Sequence, residues 1–187
     1  MTAKYKYVGP VKSKKPLVIN DKKALWLMRM IVGEGGRKCS EEKAAVLCWA
    51  ITNRWFLWPG RRYYRTFIGL MRAFSQPINP RWMTGGDLAR KYFGRRPAAA
   101  SRLRRRARMC ALKRRHISLG IIKVVSLFQK GELPMPKHLV DGVPQRFSNW
   151  ASLKNTKKNN PHGFDVDGDW TFEDRNLHPG VVMVIKD

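Results

Sequence analysis

The stretch Leu25-Trp-Leu-Met-Arg-Met-Ile-Val32 leaves a helix almost no polar face. A helix apolar nearly all round must be buried on every side. The rest of the chain therefore has to supply elements that surround it. Asp21 stands as its N-cap, and Gly33-Glu34-Gly35-Gly36 breaks it, which predicts a helix over 22–33. Ser40 caps a second helix whose first turn holds Glu41 and Glu42, where the helix dipole favours acids. Ala44, Leu47, Cys48, Ile51 and Trp55 line one face of it, and it ends before Trp58-Pro59-Gly60. A short helix follows over 65–74. Pro77 and Pro80 exclude helix from Ser75 to Pro80. Asp87 caps a further short helix to Phe93. A basic helix is expected over 98–115, with Leu103, Ala107, Cys110 and Ala111 as its apolar stripe. Another, over 117–130, carries Ile121, Val124, Val125 and Phe128 and stops at Gly131.

Beyond Gly131, prolines 134, 136, 144 and 161 imply irregular structure, and Gly180 to Ile185 reads as one strand. Residues 1–20, with Lys4, Lys6, Lys12, Lys14 and Lys15 beside Pro10 and Pro16, read as a basic extended arm. The expected architecture is mainly α: a single domain over 21–187 with a loop-rich C-terminal third.

The 187 residues carry 38 Lys+Arg against 13 Asp+Glu, a net charge of +25. With 43% apolar residues the chain is no disordered basic tail. Such a charge calls for an anionic partner: nucleic acid, a membrane surface or an acidic wall polymer. Arg29 and Lys123 interrupt the longest apolar runs, and neither run reaches the ~20 residues of a membrane span. The first residues show no secretory signal, so the expectation is synthesis in the cytoplasm. Cys39, Cys48 and Cys110 have no CxxC spacing, and the histidines are scattered, so no metal or other cofactor is expected.

The acids are more informative because they are scarce. Only seven precede residue 165: Asp21, Glu34, Glu41, Glu42, Asp87, Glu132 and Asp141. Asp21, Glu41, Glu42 and Asp87 serve as caps or first-turn residues. Glu34 breaks the rule, because it sits at the C-terminal end of a buried helix, where the dipole disfavours negative charge. It also follows an apolar run, and both effects favour the protonated carboxyl. A protonated carboxyl in an apolar cleft suits a general acid that protonates a glycosidic oxygen. The alternative is a solvated glutamate in a glycine-rich turn.

Three segments in order carry a family likeness. They are Leu27 to Glu34, then Ser40-Glu-Glu-Lys-Ala-Ala-Val46, then Ile51-Thr-Asn53-Arg54, with Phe74-Ser75 following. Together they resemble the spore-cortex-lytic type of cell-wall hydrolase over about 24–76. The likeness is weaker over 110–150, where Phe128-Gln-Lys-Gly131 is similar to that family's late helix end. It implies a lysozyme-like fold with a lytic-transglycosylase-like site. On that likeness the catalytic acid falls on Glu34, and Asn53, Ser75 and Gln76 are substrate-binding residues that orient the glycan. Gln76 and Asn79 read equally well as turn residues that satisfy backbone groups. The family's second acid is missing here, where the chain reads Gly35-Gly36-Arg37-Lys38. Trp55, Trp58, Tyr63, Tyr64 and Trp82 are either sugar-stacking platforms or core.

Residues 95–115 hold ten Lys/Arg and no acid. That helix is a solvated face, a nucleic-acid contact or an attachment to an anionic cell-surface polymer. Asp165-Val-Asp-Gly-Asp169 begins like a calcium loop, but Trp170 and Asn176 stand where an EF-hand needs Gly and Glu.

The resemblance therefore implies a peptidoglycan-cleaving glycosidase or lytic transglycosylase. A wall target without an export signal suggests a phage enzyme, used for entry or lysis and carried in the virion beside other virion proteins or released at lysis. The alternative is a basic virion or DNA-associated structural protein with a degenerate hydrolase fold.

Overall fold

The computed structural model describes residues 2–10, 15–57, 65–75, 78–79, 113, 116–136, 139, 144–148, 158, 163–167, 169–173 and 180–185. Among them the fold is mixed but helix-rich. It has four helices, α1 (Asp21–Gly35), α2 (Glu41–Leu57), α3 (Phe67–Phe74) and α4 (Leu119–Lys130). It also has strands β1 (Lys4–Val8), β2 (Leu17–Val18), β3 (Pro144–Ser148), β4 (Phe164–Val166), β5 (Asp169–Glu173) and β6 (Val181–Ile185). The strands form two antiparallel sheets, β2-β1-β6 and β3-β5-β4. No helix among the described residues is long and apolar enough to cross a membrane.

Helix α1 begins one residue earlier than expected. Asn20, not Asp21, is the N-cap, and its side chain accepts the Lys23 N–H at 3.1 Å. Asp21 takes the first turn and accepts a hydrogen bond from Gln129 Nε2 at 2.8 Å. Gly33 does not end the helix, which runs on to Gly35. The stop comes at Gly36, whose φ of 78° suits glycine and whose N–H reaches the Val32 carbonyl. Glu34 therefore lies inside the last turn. Ser40 caps α2 through the Lys43 N–H at 3.2 Å, Thr66 caps α3 and Ser118 caps α4.

Helix α2 is buried along nearly its whole length, and α1, α3 and α4 all pack on it. Ala24, Leu27, Met30 and Ile31 of α1 meet Ile121, Val124, Val125 and Phe128 of α4 and Leu47, Cys48 and Ile51 of α2 in one core.

Residues 1–20 are not a separate arm where they are described. The repeat Lys4-Tyr-Lys-Tyr-Val8 alternates in the sheet period of two, with Tyr5 and Tyr7 buried and Lys6 and Val8 exposed. Tyr5 is fully buried. Its ring stacks on Phe128 at 4.5 Å and meets Trp49 edge-on at 5.6 Å, and its hydroxyl donates to the Phe128 carbonyl. β1 pairs with β6 from Lys4↔Ile185 to Val8↔Val181, joining segments from opposite ends of the sequence. Gly131 makes room for this junction. Its φ is 71°, and a Cβ there would stand 2.6 Å from Ala3 and from Val184.

The C-terminal third is not simply loop. β4 and β5 form a hairpin in which Val166 pairs with Asp169, and Asp167 has the positive φ of 56° that a tight turn needs. The segment that begins like a calcium loop thus carries the paired ends of two strands. The helices expected near 87–93 and over 98–115 fall on residues outside those described, Lys113 apart.

Candidate active site

Helix α1 ends with Glu34 half-buried in its last turn, a turn that carries no basic residue. Nothing in its own helix offsets the negative pole there. The compensation comes from α3. Ser75, the C-cap residue of α3, donates its hydroxyl to Glu34 Oε1 at 2.7 Å. Ser75 is itself buried, and its backbone N–H is held by the Met71 carbonyl at 2.9 Å. Its side chain is thus aimed by a helix end and cannot wander.

The last turn of α2 enters the same neighbourhood. Arg54 is buried, and its guanidinium lies 3.6 Å from the ring centre of Phe74, the residue before Ser75. Trp55 packs edge-on against Phe67 at 5.8 Å, which fixes the start of α3 against α2. Three sequence segments thus converge: Gly33-Glu34, Asn53-Arg54 and Phe74-Ser75. Arg54 orders Phe74, and the hydroxyl of the adjacent Ser75 engages the carboxyl.

The expected substrate contacts fare differently. Ser75 spends its one O–H on Glu34, which leaves its oxygen to act only as an acceptor. Asn53 is 1% exposed and lies beneath the surface. Its Oδ1 meets no hydrogen-bond donor among the described residues. Gln76 lies outside the described residues, as do Trp58, Tyr63, Tyr64 and Trp82. Of the proposed stacking residues, Trp55 is half-buried in a core contact.

Sequence reasoning missed two arginines on the α1–α3 face. Arg29 stands 5.0 Å from the Trp26 ring centre and Arg72 of α3 stands 5.3 Å from it. The available signal was the charge at Arg29 in an otherwise apolar helix.

The buried nucleophile candidates are chemically quiet. Burial first, and then the neighbouring Cys39, pushes the Cys48 thiol well above its ordinary range. Burial, and then Cys48, does the same to the Tyr5 hydroxyl. Neither ionises near neutral pH. The Glu34–Ser75 pair is therefore the described arrangement best suited to proton transfer: a half-buried carboxyl held in one orientation by a fixed hydroxyl.

No protein-family model, curated protein or solved structure matches the chain.

Proposed function

We propose that the protein is a lysozyme-like peptidoglycan-cleaving enzyme, a lytic transglycosylase or muramidase, with Glu34 as its acid and base. The observation that carries this reading is the 2.7 Å bond from the Ser75 hydroxyl to Glu34. It orients a carboxyl at the end of a helix where a negative charge is otherwise disfavoured.

The chemistry needs only one carboxyl. Glu34 gives its proton to the oxygen that links C1 of MurNAc to C4 of GlcNAc, and that bond breaks. The sugar's own 6-hydroxyl oxygen then bonds to C1, and its proton passes to the Glu34 carboxylate. The products are a free GlcNAc 4-hydroxyl and a 1,6-anhydro sugar, and Glu34 regains its starting state. A two-carboxylate glycosidase would need a second acid. Gly35 to Lys38 carry none, which favours the intramolecular route. The net charge of +25 supplies attraction to an anionic wall. A phage context, at genome entry or lysis, accords with a wall target.

Digestion of purified peptidoglycan with mass analysis of the products tests the reading. Anhydro-muropeptides that disappear in Glu34→Gln support it. Equal release by wild type and Glu34→Gln, or no release by wild type, overturns it. In the second case, tight salt-sensitive duplex binding that survives Glu34→Gln would mark a basic DNA-associated protein instead.

A further inference from the structure

We propose that Arg29 and Arg72 form an anion-binding subsite beside Glu34 that takes a carboxylate of the peptide attached to the glycan. The inference rests on the peptidoglycan reading and names the part of that substrate which the Glu34 site recognises.

Two cations from different helices approach one aromatic ring. Arg29 of α1 and Arg72 of α3 both lie within 5.3 Å of the Trp26 ring centre. A ring attracts a cation, but it does not neutralise one. Two guanidinium groups that each stand about 5 Å from one ring centre are at most about 10 Å apart, and like charges at that range repel unless an anion lies near them. No carboxylate among the described residues is paired with either arginine. The Nε atoms of both are buried and meet no acceptor among the described residues. Buried donors without acceptors are costly, and such groups in a native fold call for an explanation. An incoming oxyanion supplies both the missing acceptors and the missing negative charge.

The placement links the pair to the acid. Arg29 lies five residues before Glu34 on α1, and Arg72 lies three residues before Ser75 on α3. At about 1.5 Å per residue those offsets are about 7.5 and about 4.5 Å along the helices. Arg72 is thus about one helical turn before Ser75 on the same side of α3, whereas Arg29 stands about 140° around α1 from Glu34, so it is Arg72 that ties the pair to the Glu34–Ser75 site. In peptidoglycan the peptide leaves the muramic ring at C3, two carbons from the C1 that carries the scissile bond, and it bears carboxylates. The planar guanidinium fork matches a carboxylate in two-point contact. The pair would thus select peptide-bearing muramic residues over bare sugar.

Two measurements test this on the full chain. In Glu34→Gln protein labelled at arginine, the Arg29 and Arg72 Nε–H signals are assigned by Arg29→Lys and Arg72→Lys. A soluble disaccharide-peptide should shift both signals, and a peptide-free chitin oligosaccharide should shift neither. No shift with the disaccharide-peptide overturns the proposal. So does a shift produced only by inorganic phosphate or a short DNA duplex. In the second measurement, Arg29→Gln/Arg72→Gln should raise KM on intact peptidoglycan about tenfold or more with kcat nearly unchanged. Cleavage of glycan strands stripped of peptide should be unaltered. Equal losses on both substrates would show a merely structural pair. The binding spectra read out even if wild type cleaves nothing, so failure of the enzymatic reading is distinguishable from failure of the subsite.

Discussion

Replacing Tyr5 separates an N-terminal arm from an N-terminal core strand. The ring is fully buried, stacked on Phe128 at 4.5 Å and edge-on to Trp49 at 5.6 Å. Tyr5→Phe keeps both ring contacts and removes only the hydroxyl bond to the Phe128 carbonyl. That carbonyl still accepts the Gly131 N–H at 3.0 Å, so it is not left orphaned. The cost is then the net value of one hydrogen bond, about 0.5–1.5 kcal/mol. Tyr5→Ala also empties the ring's site between two aromatic neighbours. Truncation of a buried aromatic to alanine costs about 3–5 kcal/mol. A free arm would lose nothing in either variant. Urea unfolding followed by tryptophan fluorescence measures both as a shift in midpoint at constant slope. A Tyr5→Ala midpoint within about 0.5 kcal/mol of wild type would refute the placement of β1 in the cooperative core. A Tyr5→Phe loss as large as that of Tyr5→Ala would refute the partition between hydroxyl and ring.

Other outcomes follow from the same structure. Ser75→Ala removes the hydroxyl that orients Glu34, and the loss of a hydrogen bond to a charged group, about 1.5–3 kcal/mol, should lower kcat about tenfold to a hundredfold. KM on peptidoglycan should stay near its wild-type value, and an unchanged kcat would remove Ser75 from the mechanism. Gly131→Ala puts a Cβ within 2.6 Å of Ala3 and Val184 at a φ of 71°, so it should cost about 1–3 kcal/mol in urea unfolding. Alkaline pH should destabilise the fold. The Cys48 thiol and Tyr5 hydroxyl are raised by burial from ordinary values of 9.0 and 10.0, so the unfolded chain ionises where the folded one does not. Their contribution is complete below pH 9.0 and falls as pH rises above it. Cys48→Ala should therefore reduce the alkaline loss seen in urea midpoints, and a midpoint constant up to about pH 11 would contradict the burial of both groups.

Much of the helical layout was legible because its signals are local. Ser40, Gly131 and the apolar run of α1 act within a turn or two of themselves, and the structure uses them nearly as read. The errors at Asn20 and Gly36 are a residue or a few, because adjacent polar residues compete for a cap and adjacent glycines for a stop. In β1 the charge and the period of the sequence point to different structures. Lys4 and Lys6 look like an arm by composition, yet their alternation with Tyr5 and Tyr7 is a strand's. The β4–β5 pair is hidden in the sequence because the prolines of the C-terminal third point to irregular structure.

Glu34 stood out in the sequence by subtraction, as an acid without a structural duty. Its partner did not. Ser75 is 41 residues away, and nothing in either segment specifies which hydroxyl meets which carboxyl oxygen. Asn53 reads as a polar residue at a helix end, and only packing shows that it is 1% exposed.

The sequence by itself determined where helices start and stop to within a few residues and that one acid lacks a local reason for its position. Those are consequences of backbone capping, helical period and dipole, all of which act over a few residues. The helix buried nearly all round is α2, whereas α1 leaves Leu25, Trp26 and Met28 half-buried. The tertiary structure alone decided that Ser75 holds Glu34, that Arg54 orders Phe74, that Arg29 and Arg72 both approach the Trp26 ring, and that the N-terminal strand closes against β6. These contacts join segments far apart in the chain. They depend on the angles at which α1, α2 and α3 cross, and those angles come from the fit of whole apolar faces rather than from any one motif.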